Sequence, residues 1–413
     1  MFAVRVKVGH SLAPFGDAVG DVPILNVPLR EAQDEALARN GVSVRELLPG
    51  EAPNEPYLCF GDSTWFTAGL IARFLAAWTL TQKAHPTPRL RIADPDFLRE
   101  TSPLQPVDEG GGRGRYFLEV RCDEPPGFTV DACRDLVVDL ALRHSPGKPP
   151  HPAFAHAYRG DVALGPAMVH EVWHWAHITR VNLLALAARA EEARETWEHG
   201  GLFSRIGQVV PVLWRAQSLH PAAIARALLP IPKSAKIHPT AVIEASIIGE
   251  EVEIGPFACV RGSMLGPGSK IDAYASLNLA VVGAGAQVGR GAMVNLCVLY
   301  AGAFVSSGGG FQMCVFGRES FVAMTAMMLD LSFGRTIRVD GPEGRLDTEG
   351  YFLGGAIGHR ARVGAGVRIG YGVAIPNDTL LVAPTGDLVR RVEVGEPGEA
   401  VSAAEGVARV ERR

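Results

Sequence analysis

Apolar residues between positions 237 and 322 repeat with a period of seventeen. Three rows keep this spacing without a slip: Ile237, Ile254, Ile271, Val288, Val305 and Val322; Ile243, Val260, Leu277, Val294 and Phe311; and Ile248, Leu265, Val282, Leu299 and Phe316. Two steps of six residues and one of five make each period, which fits neither a helix heptad nor strand alternation. Coils of three short strands, each with one inward aliphatic side chain, satisfy the pattern when they stack at about 4.8 Å. The sequence therefore predicts a β-helix of hexapeptide repeats.

Small residues occupy fixed positions of the same coil. One seventeen-residue row consists of Ala241, Ala258, Ala275, Ala292 and Gly309, and another of Gly249, Gly266, Gly283 and Gly317. Glycine suits a sharp turn after the third strand. The pattern breaks after Val322, where residues 336–347 predict a hairpin, and it resumes in steps of six at Ile357, Val363, Ile369 and Ile375. We expect the β-helix over residues 235–384 with a hairpin inserted at 323–352.

The chain before residue 199 has the mixed pattern of an α/β domain. Strands are indicated at 2–8, 42–48 and 57–61, and helices at 29–39 and 66–78. Residues 86–116 are rich in proline, glycine and charge and predict a loop, whereas residues 129–143 predict an amphipathic helix. We expect an α/β domain at 1–198, a helical linker at 199–234 and a tail at 385–413.

The longest helical pattern covers residues 170–197 and begins with His170-Glu171-Val172-Trp173-His174. On a helix this H-E-x-x-H spacing places both imidazoles on one face, where they bind zinc, with Glu195 at the distance of a third ligand. The same residues also fit a helix that packs on a neighbouring domain. Both interpretations stay open at this point.

Bulk composition excludes several classes of function. A formal charge of -4 over 413 residues gives no reason to expect nucleic acid or an anionic membrane as a partner. No apolar run approaches the length of a membrane span, and the N-terminus lacks the pattern of a signal peptide. The six cysteines show no paired-ligand spacing, so we expect small buried side chains in a reducing cytoplasm.

The first part of the chain resembles sugar-1-phosphate nucleotidyltransferases. Pro23-Ile24-Leu25-Asn26-Val27-Pro28-Leu29 and Ala38-Arg39-Asn40-Gly41-Val42 match motifs of that family. The family's Gly-rich phosphate loop is absent, and Val22 stands where the family has a lysine. The resemblance implies a reduced, degenerate nucleotidyltransferase-like domain with a Rossmann-like sheet. It also implies that Asp62 is a ligand for Mg²⁺, the alternative being an aspartate that caps a helix or turn.

The C-terminal half resembles the β-helix of archaeal-type bifunctional sugar-1-phosphate nucleotidyltransferase/acetyltransferases. The matching stretches are residues 247–263, IIGEEVEIGPFACVRGS, and residues 353–370, LGGAIGHRARVGAGVRIG. His359 stands where the family usually has aspartate. This resemblance implies a left-handed coil, a homotrimer, and acetyl-CoA or another acyl-CoA as the cofactor.

Several side chains are candidates for acyl transfer. The resemblance implies that His359 is the general base for the acceptor, the alternative being a surface turn residue. Asn278, Asn295 and Gln312 form part of a polar row that either binds substrate or stabilises stacked coils. Asp330, Arg335 and Arg338 lie on the insertion and face an acceptor bound there. Ser307, Gly308 and Gly309 either admit the cofactor close to the backbone or form a widened turn.

Three classes of function therefore remain open. The first is an acyl-CoA-dependent transferase that acts on a sugar or sugar nucleotide. The second is a sugar-1-phosphate nucleotidyltransferase, which the missing phosphate loop disfavours. The third is a non-catalytic scaffold that has kept the fold and lost the chemistry. A transferase is the class that the sequence favours.

Overall fold

The computed structural model describes most of the 413 residues. The described ranges are 1–48, 50–83, 86–105, 114–127, 134–147, 151–152, 155, 161–199, 231–383, 391–392, 401–404 and 407–410. Within these ranges no helix combines the length and the apolarity that a membrane span needs.

A six-stranded mixed sheet forms the centre of the N-terminal domain. Its order is β11-β9-β10-β7-β1-β6, with β1 at Phe2–Val6, β6 at Ser43–Val44, β7 at Tyr57–Gly61, β9 at Pro88–Arg91, β10 at Arg115–Arg121 and β11 at Arg134–Val137. Strand β1 pairs in parallel with β6 and β7, and β10 runs antiparallel to β7 and β9. The expected α/β domain with a Rossmann-like sheet is confirmed.

Short strand pairs and helices complete this domain. The pairs are β2 (Ser11–Leu12) with β3 (Asp17–Ala18), β4 (Pro23–Ile24) with β5 (Val27–Pro28), β8 (Thr64–Phe66) with β14 (Val169–Glu171), and β12 (Arg143–Pro146) with β13 (Asp161–Leu164). The helices are α1 (Leu29–Ala38), α2 (Ala68–Thr81), α3 (Pro95–Thr101) and α4 (Trp175–His199), with a 3₁₀ turn at Val19–Asp21.

Three parallel sheets form the C-terminal β-helix, which is left-handed. Face A contains β15 (Lys236–Ile237), β18 (Glu253–Ile254), β21 (Lys270–Ile271), β24 (Gln287–Val288), β27 (Phe304–Val305), β30 (Phe321–Val322), β35 (Arg362–Val363) and β38 (Leu380–Leu381). Face B contains β16 (Val242–Glu244), β19 (Cys259–Arg261), β22 (Ser276–Asn278), β25 (Met293–Asn295), β28 (Gly310–Gln312), β31 (Met327–Met328) and β36 (Arg368–Ile369).

Face C completes the prism. It contains β17 (Ile247–Ile248), β20 (Met264–Leu265), β23 (Val281–Val282), β26 (Val298–Leu299), β29 (Val315–Phe316), β34 (Ala356–Ile357) and β37 (Ala374–Ile375). Residues seventeen apart are register partners, as in Ile254↔Ile271 on face A and Val260↔Leu277 on face B. The three predicted aliphatic rows therefore fill the interior, and the predicted β-helix is confirmed.

The inserted hairpin consists of β32 (Arg338–Gly341) and β33 (Gly344–Asp347). Strand β31 still pairs with β28 and β36, so the coil continues to Met328 and the interruption begins later than residue 323. Most of the expected linker at 199–234 and much of the tail at 385–413 lie outside the described residues. In the tail, β39 (Arg391–Val392), β40 (Val401–Ala404) and β41 (Val407–Val410) pair with one another.

The N-terminal domain covers face C of the β-helix. Outward-facing residues there are buried, namely Val281, Val298, Val315 and Ala356, and helix α4 packs on β26 and β29. These side chains share one hydrophobic cluster with the core of the N-terminal domain. Faces A and B are the two sides of the prism that this domain leaves uncovered.

Three local predictions in the N-terminal domain were wrong. The predicted loop at 86–116 contains strand β9 and helix α3, and the predicted helix at 129–143 contains strand β11. Helix α4 begins at Trp175, not at position 170. Strand pairing explains all three: Leu90 and Leu136 are buried where β9 and β11 pair in parallel, and residues 169–171 pair with β8 instead of starting the helix.

Candidate functional site

The three groups of predicted β-helix site residues lie at three different corners of the prism. Ser307–Gly309 belong to the corner between faces A and B, and Asn278, Asn295 and Gln312 border the corner between faces B and C. His359 lies at the corner between faces C and A, one coil above Arg318. A single chain therefore does not bring the predicted base, substrate ladder and cofactor loop together.

A groove of about 750 Å³ runs along face A over five coils. Its lining includes Lys236, Glu253, Lys270, Gln287, Phe304 and Ser307. Glu253 accepts hydrogen bonds from Lys236 at 3.0 Å and contacts Lys270 at 3.5 Å, and these contacts lower the pKa of its carboxyl. The lower part of the groove therefore carries charges of both signs, since Asp272 also lines it, and its upper end is aromatic.

The predicted cofactor residues lie beside this groove. Ser307 lines it, and Gly308 follows with a φ of +71°, where an added Cβ would meet no heavy atom within 4 Å. At Gly309, by contrast, a Cβ would meet the Phe311 ring at 2.6 Å. Ser307 and Gly308 thus have open surroundings, and the cofactor-binding role of the three residues stays a prediction.

The polar row on face B is a register-matched ladder. Asn278 pairs with Asn295, which pairs with Gln312, and below them Arg261 donates to Glu244 at 2.8 Å. Asn278 and its lower neighbours are exposed. Side chains of this kind are free to bind a ligand, and they equally stabilise stacked coils. The substrate-binding role of the ladder stays a prediction.

Residues of the insertion are divided between solvent and the domain contact. Asp330 is half-buried, and burial raises the pKa of its carboxyl. Arg335 is exposed, and its carbonyl accepts a hydrogen bond from Ser332. Ile337 and Val339 are fully buried in the cluster shared with the N-terminal domain. The hairpin thus packs on the protein itself, and its acceptor-binding role stays a prediction.

His359 is buried at the corner between faces C and A, so it is not a surface turn residue. Its exposed fraction is 2%, Nδ1 accepts the backbone N–H of Arg318 at 2.8 Å, and Nε2 lies 3.1 Å from Oδ2 of Asp17. An Nδ1 that accepts leaves the proton on Nε2, which donates to Asp17. Neither ring nitrogen is available to accept a proton from a substrate in this conformation. The catalytic role of His359 stays a prediction.

A short hairpin at residues 11–18 holds the two domains together. Strands β2 and β3 form a small hairpin whose Asp17 bonds Arg318 at 2.5 Å and His359. Phe15 stacks on Tyr300 at 5.3 Å between centroids, and its carbonyl accepts the amide of Asn377. Sequence reasoning missed this contact, although Tyr300 is the one residue that interrupts the glycine row.

Two opposing effects act on Asp17. Burial raises the pKa of a carboxyl, but the hydrogen bonds from His359 and Arg318 outweigh burial here and lower the pKa of Asp17. The side chain of Asp17 is only 9% exposed. The charge of this aspartate is therefore stabilised by groups of the β-helix.

Asp62 does not have the surroundings of a magnesium ligand. Its Oδ1 accepts the backbone N–H of Val8 at 2.9 Å, and burial raises the pKa of its carboxyl. The nearby Glu171 is buried and accepts from Ser63, Thr64 and the Phe117 N–H. Because Oδ1 of Asp62 and both oxygens of Glu171 accept from protein donors, too few oxygens are left for Mg²⁺, and the residues present do not fit this ion.

The H-E-x-x-H residues do not share a helix face. His170 belongs to β14, where its Nδ1 donates to the Glu171 carbonyl at 2.7 Å, and His174 lies before α4 with Nε2 at 3.1 Å from the Asp340 carbonyl. Burial lowers the pKa of His170 to about 3 and also lowers that of His174. His174 thus connects the segment before α4 to the inserted hairpin, whereas His170 bonds only the next residue of its own strand.

Within the described ranges, one group of side chains has metal-ligand spacing. Asp94, Asp96 and His144 bring ligand atoms within 4.8 Å of one another. Asp94 caps α3 through the Phe97 N–H, and Asp96 bonds Arg99 at 2.5 Å. These bonds account for the arrangement of the group without a metal ion.

No protein-family model matches this chain, and no curated protein matches it in sequence. Among solved structures, it is similar to a hexapeptide transferase family protein from Anaplasma phagocytophilum. The two are 15% identical over 34% of this chain and 69% of the other, with a TM-score of 0.15. At this level the likeness identifies no activity.

Proposed function

We propose that this protein is a transferase that uses an acyl-CoA to acylate a sugar or sugar nucleotide, and that it acts as a homotrimer. The groove on face A is the observation that carries the proposal. Its length over five coils suits an extended arm such as pantetheine, and Lys270 exchanges its contact with Glu253 for the phosphates of the cofactor. Ser307 and Gly308 offer backbone to the cofactor at the upper end of the groove.

The residues of the chain have distinct roles in this proposal. The groove binds the cofactor, and the polar ladder of Asn278, Asn295 and Gln312 on face B binds an acceptor. Because these lie at different corners, the acceptor of one chain meets the cofactor of another across a trimer contact. His359 and Asp17 fix the N-terminal domain on face C. When bound, an acyl-CoA supplies the activated thioester.

A panel of ligands tests the proposal. Thermal unfolding is followed with acetyl-CoA, with ATP and Mg²⁺, and with UDP-N-acetylglucosamine. We expect acetyl-CoA to raise the midpoint of unfolding without a second ligand. A shift that requires ATP and Mg²⁺ supports nucleotidyl transfer instead. Light scattering checks the trimer, and a monomer at micromolar concentration contradicts it.

A matched pair of variants localises the binding. Gln287→Trp fills the groove on face A, whereas Met293→Trp adds the same ring to an exposed position on face B of the same coil. We expect the first variant to lose the shift with acetyl-CoA and the second to retain it. Equal behaviour of both variants contradicts the groove as the binding site.

A non-catalytic scaffold is the second candidate, and one observation favours it. The position of the phosphate loop is occupied by a hairpin that connects the domains, and the predicted base is part of that contact. A panel in which no ligand changes the midpoint supports this alternative.

A further inference from the structure

Two exposed aromatic rings lie side by side at the edge of the groove on face A. Phe257 and Tyr274 occupy equivalent positions of consecutive coils at the corner between faces A and B, and their exposed fractions are 55% and 60%. Their ring centroids are 5.2 Å apart with an interplanar angle of 16°. Their neighbours Pro256 and Asp272 line the groove. The stacked pair is thus a continuous part of its rim.

The aromatic stack ends at Tyr274. The equivalent positions in the next two coils are Gly291 and Gly308, and at neither would an added Cβ meet any atom within 4 Å. The backbone itself continues without a break, because the N–H of Tyr274 bonds the Pro256 carbonyl and that of Gly291 bonds the Ala273 carbonyl. Two missing side chains therefore leave about 10 Å of open edge above the Tyr274 ring.

This opening has the dimensions and chemistry of a site for a planar ring. All four residues have positive φ, at 58°, 62°, 65° and 71°, so the corner accepts aromatic side chains as well as glycine. Among the described residues, Phe257 is the one ring that contacts Tyr274. The face of the Tyr274 ring opposite Phe257 is directed along the stack, toward a gap that exceeds the thickness of an aromatic ring.

Charges near the gap suit a phosphorylated ligand. Arg290 is exposed beside Gly291 and forms no ion pair within the described ranges, whereas Lys270, in the adjoining groove, contacts Glu253 at 3.5 Å. We propose that Tyr274, with the open edge at Gly291 and Gly308, binds a purine base by stacking, while Arg290 and Lys270 contact its phosphates. This inference rests on the proposed function in taking the purine to be the adenine of an acyl-CoA.

Calorimetry with four probes tests the site: coenzyme A, adenosine 3′,5′-bisphosphate, ATP and pantetheine. Tyr274→Ala removes the platform, and Gly291→Tyr fills the gap with a ring. We expect each variant to weaken coenzyme A and adenosine 3′,5′-bisphosphate by roughly 5- to 100-fold, with pantetheine unchanged. Tyr274→Phe keeps the ring and retains the affinity.

Gly285→Tyr is the matched control for the filled gap. Gly285 has the same φ of +65° and the same open surroundings, but it lies at the corner between faces C and A. We expect it to bind coenzyme A as the wild type does. Equal weakening in Gly285→Tyr and Gly291→Tyr overturns the assignment, because strain rather than occupancy then explains the loss.

The outcomes separate this site from the proposed function. Tight binding of coenzyme A that both Tyr274→Ala and Gly291→Tyr retain overturns the ring platform and leaves the acyl-CoA proposal standing. Binding of ATP but not coenzyme A, lost in both variants, supports the platform and overturns acyl transfer. No binding of any purine probe overturns both. A change of oligomeric state in Tyr274→Ala, with affinity unchanged, assigns the rings to a second copy and overturns the site.

Discussion

Oδ2 of Asp17 lies 3.1 Å from Nε2 of His359, although the two residues are separated by 342 positions in the chain. Arg318 approaches the other carboxylate oxygen at 2.5 Å, and its backbone N–H fixes the tautomer of the imidazole. One buried carboxylate therefore connects the N-terminal domain to two successive coils of the β-helix.

Replacing Asp17 with asparagine tests the importance of this contact. The variant leaves the Arg318 charge and the His359 proton without their anionic partner, so we expect it to lose about 1–3 kcal/mol of unfolding free energy. Urea denaturation measures the change. Asp378→Asn is the control, because Asp378 pairs with Arg360 in solvent and should leave the midpoint close to that of the wild type.

Replacing His359 with alanine separates a structural from a catalytic role. Both ring nitrogens are engaged within the protein, so we expect the unfolding midpoint to fall and His359→Asn to recover part of the loss by accepting the Arg318 N–H. Any acyl transfer by the folded fraction should stay within about tenfold of the wild type. A loss of a hundredfold or more at an unchanged midpoint shows instead that His359 acts as a general base.

Truncating an interior aliphatic side chain tests the packing of the coils. Leu299 is 1% exposed and stacks between Val282 and Phe316, so Leu299→Ala should cost about 2–5 kcal/mol. Leu380→Ala, at a position that is 69% exposed, should leave stability nearly unchanged. Similar effects of the two substitutions, measured by urea denaturation, contradict the assigned register.

The buried histidines of the N-terminal domain predict sensitivity to acid. Burial lowers the pKa values of His170 and His177 below the value near 6.5 that they have when unfolded. The unfolded chain therefore binds more protons than the native one below that pH, and the stability present above about pH 6.5 declines as pH falls toward the folded pKa values. Urea midpoints between pH 7.5 and 5 measure the slope, which His177→Gln should reduce. A slope that is the same in this variant argues against His177 as a contributor.

The sequence by itself determined the β-helix, because each coil repeats the same local requirement. An aliphatic residue every five or six positions and a small residue at each corner are visible without knowledge of distant contacts, and Ile271 or Val294 has no other place to be buried. The same period places Ser307 at a corner of the coil, and the structure shows that this corner borders a groove.

Only the tertiary structure decided the positions that depend on contacts between distant segments. Strands β9 and β11 form because they pair with each other inside a sheet, so residues 86–116 and 129–143 carry no periodic sign of them. Likewise, the environment of His359 depends on Asp17, a residue of a hairpin at the other end of the chain. Local sequence patterns show which side of an element is buried. Burial by another domain, and the tautomer of His359 that Asp17 and Arg318 fix, arise only when the two domains meet.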